Sequence, residues 1–419
     1  MEYSKELLPI TEICLNVTEA CNFACKYCFT EHHPNFMTFN VAKDSLHWLV
    51  NNCKIKEEIV GKKIIPKIGF FGGEPTLMWD EIIVPLVNYA KENNIDCNWS
   101  ITSNCSLLNK EKVDFLKENN IGLLLSMDGN KLSQNINRPC KNKTIDSFEV
   151  VEKNLPYIVE NFPNTTFRGT ITADTSSYLF DNIMYAASKG FNNCFFIINE
   201  FENWDKQARE NVQNEMVKYC LYMISAFIND EPFITLRPLE QAINKIVAIN
   251  SAVATAPEDY EFEIIGDPEH QKCGLGSGYG SINYKGDIFS CQEVASREGE
   301  KNIFHIGNIY TGGIDEDKLL TLRNNYFNRK VKKYNYENPE LCETCPHKLV
   351  CIANACQVNN YILYKDFSAT PDCWCWWSNL MLQCAQFIML VLGKNHNVAF
   401  KNYLEIELTN EGGPLNNGY

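Results

Sequence analysis

The sequence predicts an α/β fold: a parallel sheet, doubly wound or curled into a barrel, followed by a cysteine-rich region. Three observations predict it. Apolar, β-rich runs at 13–17, 65–71, 98–103, 122–127, 165–172 and 193–199 alternate with helical patterns near 40–53, 80–94, 109–119, 146–161 and 177–188, with another after 206. Six strand–helix units of this kind argue for parallel strands joined by crossover helices. Three cysteines crowd the loop after the first run, and a second field of cysteines runs from Cys273 to Cys373.

Composition narrows the function classes. The chain has 419 residues, enough for two or three domains, and 45% are apolar, enough for a large core. Its formal net charge of -14 disfavours nucleic acid and anionic membrane as partners, since both select Lys/Arg surfaces. Nineteen cysteines would need an oxidising compartment to pair. The N-terminus, Met1-Glu-Tyr-Ser-Lys-Glu6, has no basic segment followed by an apolar one. A cytoplasmic protein with reduced, metal-competent thiols is therefore expected. The longest apolar run, about 380–393, is interrupted by Gln383 and Gln386 and reads as a buried helix, too short to span a bilayer.

Taken in order, residues 1–12 lead into the first strand, and the loop after it reads Cys21-Asn-Phe-Ala-Cys25-Lys-Tyr-Cys28. Three thiolates can hold three corners of a four-iron, four-sulfur cube and leave the fourth iron open to a cofactor. A zinc site is the competing reading. The second strand ends Phe71-Gly72-Gly73-Glu74-Pro75, about 45 residues beyond the loop. Paired glycines permit a close backbone approach, and Glu74 offers a carboxylate to a cation. The third strand ends Ser103-Asn104-Cys105 and the fourth Ser126-Met127-Asp128-Gly129. Arg168 lies on the fifth. A bridging region with a helix near 238–254 follows.

The cysteine loop, with Tyr27 before its third cysteine, resembles the signature of the radical S-adenosylmethionine (SAM) enzymes. Gly72-Gly73-Glu74-Pro75 resembles the family motif that binds the SAM amino group. The resemblance implies ribose contacts from Ser103 and Asn104, where the family often has Thr-Asn-Gly. It implies a carboxylate contact from Ser126, with Arg168 a candidate second contact or a structural ion pair. Expected architecture is a partial (β/α)6 TIM-like barrel over residues 1–235, a bridge over 236–264, an auxiliary-cluster domain over 265–378 and a helical tail over 379–419.

The second cysteine field resembles the SPASM extension of that family, which carries two auxiliary four-iron clusters. Cys342, Cys345, Cys351 and Cys356 are spaced by two, five and four residues, where the family usually has three in the last gap. The family's interleaving assigns Cys342, Cys345, Cys351 and Cys373 to an outer cluster and Cys273, Cys291 and Cys356 to an inner one. No cysteine lies between Cys273 and Cys291. The inner cluster is thus expected to have an open iron, able to bind a substrate thiolate, unless Cys375, Cys384 or a distant cysteine reaches it. A zinc ribbon is the alternative for this field. Cys14, Cys53, Cys97, Cys105, Cys140, Cys194 and Cys220 read as buried small hydrophobes.

The resemblance implies three [4Fe-4S] clusters, SAM, a peptide or protein substrate and an electron donor such as flavodoxin or ferredoxin. Its reaction is reductive SAM cleavage to a 5′-deoxyadenosyl radical. Three readings compete. One is a maturase forming a thioether or other crosslink in a ribosomally made peptide. Another is an anaerobic sulfatase-maturing enzyme, in which an Asp base usually follows the second SPASM cysteine; Gln292 stands there. The last is an iron–sulfur electron carrier or zinc scaffold. About a dozen residues precede the first strand, so no N-terminal winged-helix domain for a leader peptide is expected.

Overall fold

The computed structural model describes residues 8–255, 275–297, 302–327, 332–333, 345, 347, 350–351, 356–394 and 397–410. Cys273, Cys342 and residues 256–264 of the expected bridge lie outside them. In chain order the first elements are β1 (Glu12–Thr18), α1 (Phe39–Val60), β2 (Lys67–Gly72), α2 (Val84–Glu92), β3 (Asn98–Ser103), α3 (Lys110–Glu118) and β4 (Ile121–Ser126). Then come α4 (Lys131–Asn137), α5 (Ser147–Glu152), α6 (Leu155–Asn161), β5 (Phe167–Ile171), α7 (Leu179–Ser188), β6 (Asn193–Ile198), α8 (Lys206–Asn229), β7 (Thr235–Leu236) and α9 (Arg237–Thr255). The last are β8 (Tyr279–Ile282), β9 (Asp287–Phe289), β10 (His305–Asn308), β11 (Gly313–Ile314), α10 (Glu316–Phe327), β12 (Lys332–Lys333), α11 (Gln357–Tyr364), β13 (Ala369–Thr370), α12 (Asp372–Lys394) and α13 (Val398–Asn410). They form two compact units: Met1–Met127, Asn137–Phe167 and Cys273–Asn328, and Asp128–Ile136, Arg168–Lys272 and Arg329–Tyr419.

In the first unit β1 to β4 lie side by side and parallel, with one irregularity in register between Asn16 and Thr18 of β1. β8 pairs parallel with the free side of β1, and β9, β10 and β11 continue antiparallel. Residues 279–314, expected in a separate cysteine-rich domain, therefore extend this sheet. One sheet face is packed: Ile13, Leu15, Ile68, Phe70, Ile101, Ile121 and Leu125 are buried. Helix α1 buries Ala42, Leu46, Leu49 and Cys53, the three- and four-residue spacing of one helical face. Thr38 caps its start, and Gly61 ends it at φ +69, its N–H on Glu57 O at 2.8 Å.

One expected helix is broken by proline. The 146–161 pattern splits into α5 and α6 because Pro156 lacks an N–H and its ring collides with the carbonyl four residues back, at Glu152. Before α2 the chain makes a 3-10 turn, Pro75–Met78, and a π turn, Trp79–Ile83.

In the second unit the strand order is β5-β6-β7, with Phe196, Tyr219 and Trp377 fully buried. The Tyr219 hydroxyl donates to Ile234 O at 2.8 Å and accepts from Leu236 N at 2.9 Å. Helix α12 is longer than the apolar run at 380–393, because it starts at Asp372 and takes in Trp374, Trp376 and Trp377. Over Asp372–Gly393 it is long and apolar enough to cross a bilayer, and half of it is buried inside the fold.

Candidate active site

The cysteine loop is closed at its base before any cofactor is considered. At the end of β1 the Thr18 hydroxyl donates to Asn35 O at 2.8 Å and accepts from Ala20 N at 3.0 Å. The Asn35 amide donates to Glu19 Oε2 at 2.7 Å. Residues 137–141 then run along the loop: Ala24 N bonds Pro139 O at 2.8 Å, Lys26 N bonds Asn137 O at 2.9 Å and Lys141 N bonds Asn22 O at 2.9 Å. Phe23, fully buried, forms a bridge with Cys140. The Arg138 guanidinium stacks on the Tyr27 ring, 5.3 Å from its centroid.

Cys21 and Cys25 are half-buried and Cys28 is exposed; none is in a disulfide. The Cys21 sulfur accepts from Phe23 N at 3.4 Å, and the Cys28 sulfur lies 3.5 Å from His32 Nε2. Burial, then the Glu74 carboxylate, push the Cys21 thiol up to about 12. Losing that proton calls for a compensating positive charge, which iron supplies. Among the described residues no three His, Cys, Asp or Glu side chains converge on a single metal ion. A four-iron cube does not require such convergence, because each corner iron takes its own thiolate. The donor set on this loop fits that cluster.

The two glycines at the end of β2, Gly72 and the following Gly73, serve the chain's own backbone. A Cβ on Gly72, at φ +134, would stand 2.1 Å from Thr18 O, and one on Gly73 2.2 Å from Ala20 O. The closeness lets Gly73 N reach Thr18 O at 2.8 Å and Glu74 N reach Ala20 O at 2.9 Å. Glu74 is thereby delivered beneath the cysteine loop, 1% exposed, and Pro75 starts the turn that follows. Glu74 Oε1 accepts from Thr76 N (3.0 Å), Thr76 Oγ1 (2.5 Å) and Ser103 Oγ (2.8 Å), and Oε2 from Asn104 N (2.8 Å). Burial raises its pKa, opposed by these donors, the Thr76 hydroxyl foremost.

Ser103 and Asn104 thus sit on Glu74. The Asn104 side chain also donates to Asn22 Oδ1 at 2.9 Å and accepts from Ser106 Oγ at 2.6 Å, while Asn22 donates to Ser106 Oγ at 2.8 Å. Asn22, Thr76 and Ser106, which the motifs did not single out, therefore tie the ends of β2 and β3 to the cysteine loop. Cys105 adopts φ +58, a left-handed conformation that glycine adopts most readily.

Across the sheet face opposite the packed one, Cys14, Gly69, Ser100 and Gly122 face one another strand by strand. Ser100 and Gly122 are exposed, and Thr102, Leu124 and Ser126 above them are half-buried. Small side chains leave this floor open beneath the strand ends that carry Glu74, Ser103 and Ser126. At its edge the Tyr279 hydroxyl lies 3.3 Å from Cys14 Sγ and donates to Gln292 Oε1. Burial pushes the Tyr279 phenol well above its usual value, so it is neutral. Half-buried Cys291 lies beside Gln292, with its Sγ 3.6 Å from Gln292 Oε1.

In the second unit Arg168 is spent on backbone and ring. Its Nη1 donates to Gly169 O at 2.7 Å, and the guanidinium stacks 4.7 Å from the Phe195 centroid. Asp128 Oδ1 accepts from Thr170 N at 2.9 Å. Cys345, Cys351 and Cys356 are half-buried and Cys373 is buried. Burial and then Glu200 push the Cys373 thiol up to about 12. Glu200 itself accepts from Asn359 Nδ2 at 2.5 Å and from Trp374 Nε1 at 2.6 Å. Of the two further candidates for the inner cluster, Cys375 is half-buried and Cys384 is buried and hydrogen-bonded to Cys220, both thiols being free. Of the cysteines read as buried hydrophobes, Cys53, Cys105, Cys140, Cys194 and Cys220 are buried, while Cys14 and Cys97 are half-buried.

Residues 15–176 match the radical SAM superfamily. The radical SAM cyclopropyl synthase TigE of Paramaledivibacter caminithermalis is 28% identical over 184 residues, 42% of this chain and 38% of that protein. A cysteine-type anaerobic sulfatase-maturating enzyme of Clostridium perfringens is 25% identical over 226 residues, 52% of this chain and 60% of that protein. These matches span roughly two to three fifths of the relatives' length. Among solved structures, anSMEcpe with bound AdoMet and Cp18Cys peptide aligns with a TM-score of 0.66 at 17% identity, over 92% of this chain and 99% of that one. Streptococcus suis SuiB bound to precursor peptide SuiA aligns at 0.51 and 15%, over 88% and 76%. At such identities the likeness shows the fold, a radical SAM α/β architecture on a parallel-sheet core. Residues 15–176 therefore carry a radical SAM domain, one that begins on β1 and runs just past β5.

Proposed function

We propose that this protein is a radical SAM maturase that removes hydrogen from a peptide and closes a thioether or other side-chain crosslink. The observation that carries the reading is the joint between the cysteine loop and Glu74, made by backbone bonds through Gly73 and side-chain bonds through Asn22 and Asn104. In this reading Cys21, Cys25 and Cys28 hold the SAM-binding cluster. Glu74 Oε2, which takes one of the four donors on that carboxylate, accepts the SAM amino group as well. Ser103 and Asn104 flank the ribose, and Ser126 serves the carboxylate. The open floor of Gly69, Ser100 and Gly122 leaves room for substrate. Cys273, Cys291, Cys342, Cys345, Cys351, Cys356 and Cys373 hold two auxiliary clusters.

SAM and the clusters supply a 5′-deoxyadenosyl radical and a one-electron acceptor. For a thioether, the substrate would lose a hydrogen atom from carbon, a proton from the thiol and one electron as the C–S bond closes, and these groups would supply the acceptors for the atom and the electron. Relatives support a peptide substrate, since anSMEcpe and SuiB are solved with peptides bound. The Gln292 amide favours crosslinking over sulfatase-type oxidation. It cannot take up a proton as an Asp would, and the neutral Tyr279 beside it is no base either. Formylglycine formation would need its base elsewhere.

The test is electron paramagnetic resonance of the anaerobically reconstituted protein with a Cys-containing peptide. The reading expects the auxiliary spectrum to change with that peptide, to stay unchanged with its Cys→Ser version, and the product to be lighter by two hydrogens. A spectrum indifferent to the peptide's cysteine would move formylglycine formation ahead.

A further inference from the structure

The second unit holds a lysine where a charge is costly. Lys245, on α9, is half-buried and donates its ammonium to the backbone carbonyl of Cys351. From α12, the Ser378 hydroxyl, 1% exposed, lies 3.5 Å from the Cys351 sulfur. Two helices therefore converge on one cysteine, one bringing a positive charge and the other a hydroxyl dipole. A simple structural hydrogen bond to a carbonyl does not need a charge, and holding an ammonium out of water is unfavourable unless a negative charge lies near.

We infer that Lys245 and Ser378 raise the reduction potential of the auxiliary cluster bound through Cys351, keeping it an electron acceptor. The inference rests on the auxiliary-cluster reading above. The physical argument is electrostatic. One-electron reduction adds a negative charge to a centre that already carries anionic thiolates. A cation and a hydrogen-bond donor stabilise the reduced form more than the oxidised one, and hydrogen bonds to cluster sulfurs are known determinants of potential. Because both groups are at least half-buried, salt screens them little. Cys351 belongs to the outer cluster, which would draw from the inner one the electron released when the substrate bond closes, so a raised potential favours product over back-reaction.

The experiment is a redox titration followed by electron paramagnetic resonance. It uses the full reconstituted chain with Cys21, Cys25 and Cys28 replaced by Ala, so that the auxiliary signals are read alone. Lys245→Gln keeps a hydrogen-bond donor and removes the charge; Lys245→Arg keeps both. At the parent's midpoint, the reduced-to-oxidised ratio in Lys245→Gln should fall at least tenfold, about 59 mV for a one-electron couple. Lys245→Arg should match the parent, and Ser378→Ala should shift the same way by less. Lys245→Gln with full iron at the parent's midpoint overturns the inference while leaving the auxiliary clusters in place. If Lys245→Gln loses iron, Ser378→Ala decides: a lowered midpoint supports the inference and an unchanged one overturns it. Zinc in place of auxiliary iron in the parent would overturn the cluster reading and this inference with it.

Discussion

Replacing Gly73 by Ala tests whether the joint between β2 and the cysteine loop is what places Glu74. The added methyl would lie 2.2 Å from Ala20 O, 2.5 Å from Ala20 C and 2.8 Å from Glu19 O, all backbone atoms. Non-bonded heavy atoms settle at roughly 3.5–4.0 Å, so the two segments must part by at least about 1.3 Å. The bonds Gly73 N to Thr18 O (2.8 Å) and Glu74 N to Ala20 O (2.9 Å) then break. Each is worth about 1 kcal/mol, and overpacking adds about 1–3 kcal/mol, so a loss of about 3–5 kcal/mol is expected. Gly61→Ala is the control, since Gly61 has φ +69 but open space around it, and only the left-handed backbone costs it, about 1 kcal/mol. Urea unfolding of the metal-free proteins measures both. After reconstitution, Gly73→Ala should form 5′-deoxyadenosine at least a hundredfold more slowly, and Gly61→Ala at the normal rate. If Gly73→Ala loses no more stability than Gly61→Ala and still cleaves SAM, the close approach is incidental and the reasoning fails.

Two further outcomes are expected. The reconstituted chain should bind about twelve irons, four in each of three cubes, and replacing Cys21, Cys25 and Cys28 by Ala should abolish 5′-deoxyadenosine formation under dithionite while about eight irons stay bound; stoichiometric zinc with little iron would falsify this. Burial pushes Cys14 from 9.0 up to about 11; the folded chain then keeps a proton that the unfolded chain has lost, so the contribution of Cys14 to stability is complete below pH 9 and disappears as pH rises through 11. A gap of two pH units corresponds to about 2–3 kcal/mol, and urea unfolding of Cys14→Ala between pH 8 and 11 should show an alkaline decline shallower by that amount.

Where the sequence was legible, the signal was local. Strands alternated apolar and small residues, as β3 does with Trp99 and Ile101 buried and Ser100 exposed, and the period of two shows in any short window. The spacing of Cys21, Cys25 and Cys28 was equally local. Helix breaks were less so. Pro156 marks the α5–α6 division in the sequence, yet apolar periodicity runs across it and suggested one helix.

What remained hidden depended on contacts between distant segments. Nothing near Asn137-Arg138-Pro139-Cys140-Lys141 announces that it runs along a loop more than a hundred residues earlier. The partners of Asn22, Asn104 and Ser106 are likewise set by which strand ends become neighbours. Gly72 and Gly73 read from sequence as room for a ligand, and the fold uses that room for the chain's own backbone. Residues 279–314 read as part of a separate domain, and β8 instead pairs with β1, because an edge strand offers unpaired N–H and C=O groups to any strand that reaches it. The sequence by itself determined which residues bring thiolates, carboxylate and small side chains to the ends of the strands, since those depend on residue type and short spacing. Only the tertiary structure decided that Ser103 and Asn104 bond Glu74 and that Lys245 meets Cys351, because a hydrogen bond needs its atoms within about 3 Å, and only the packed backbone sets such distances.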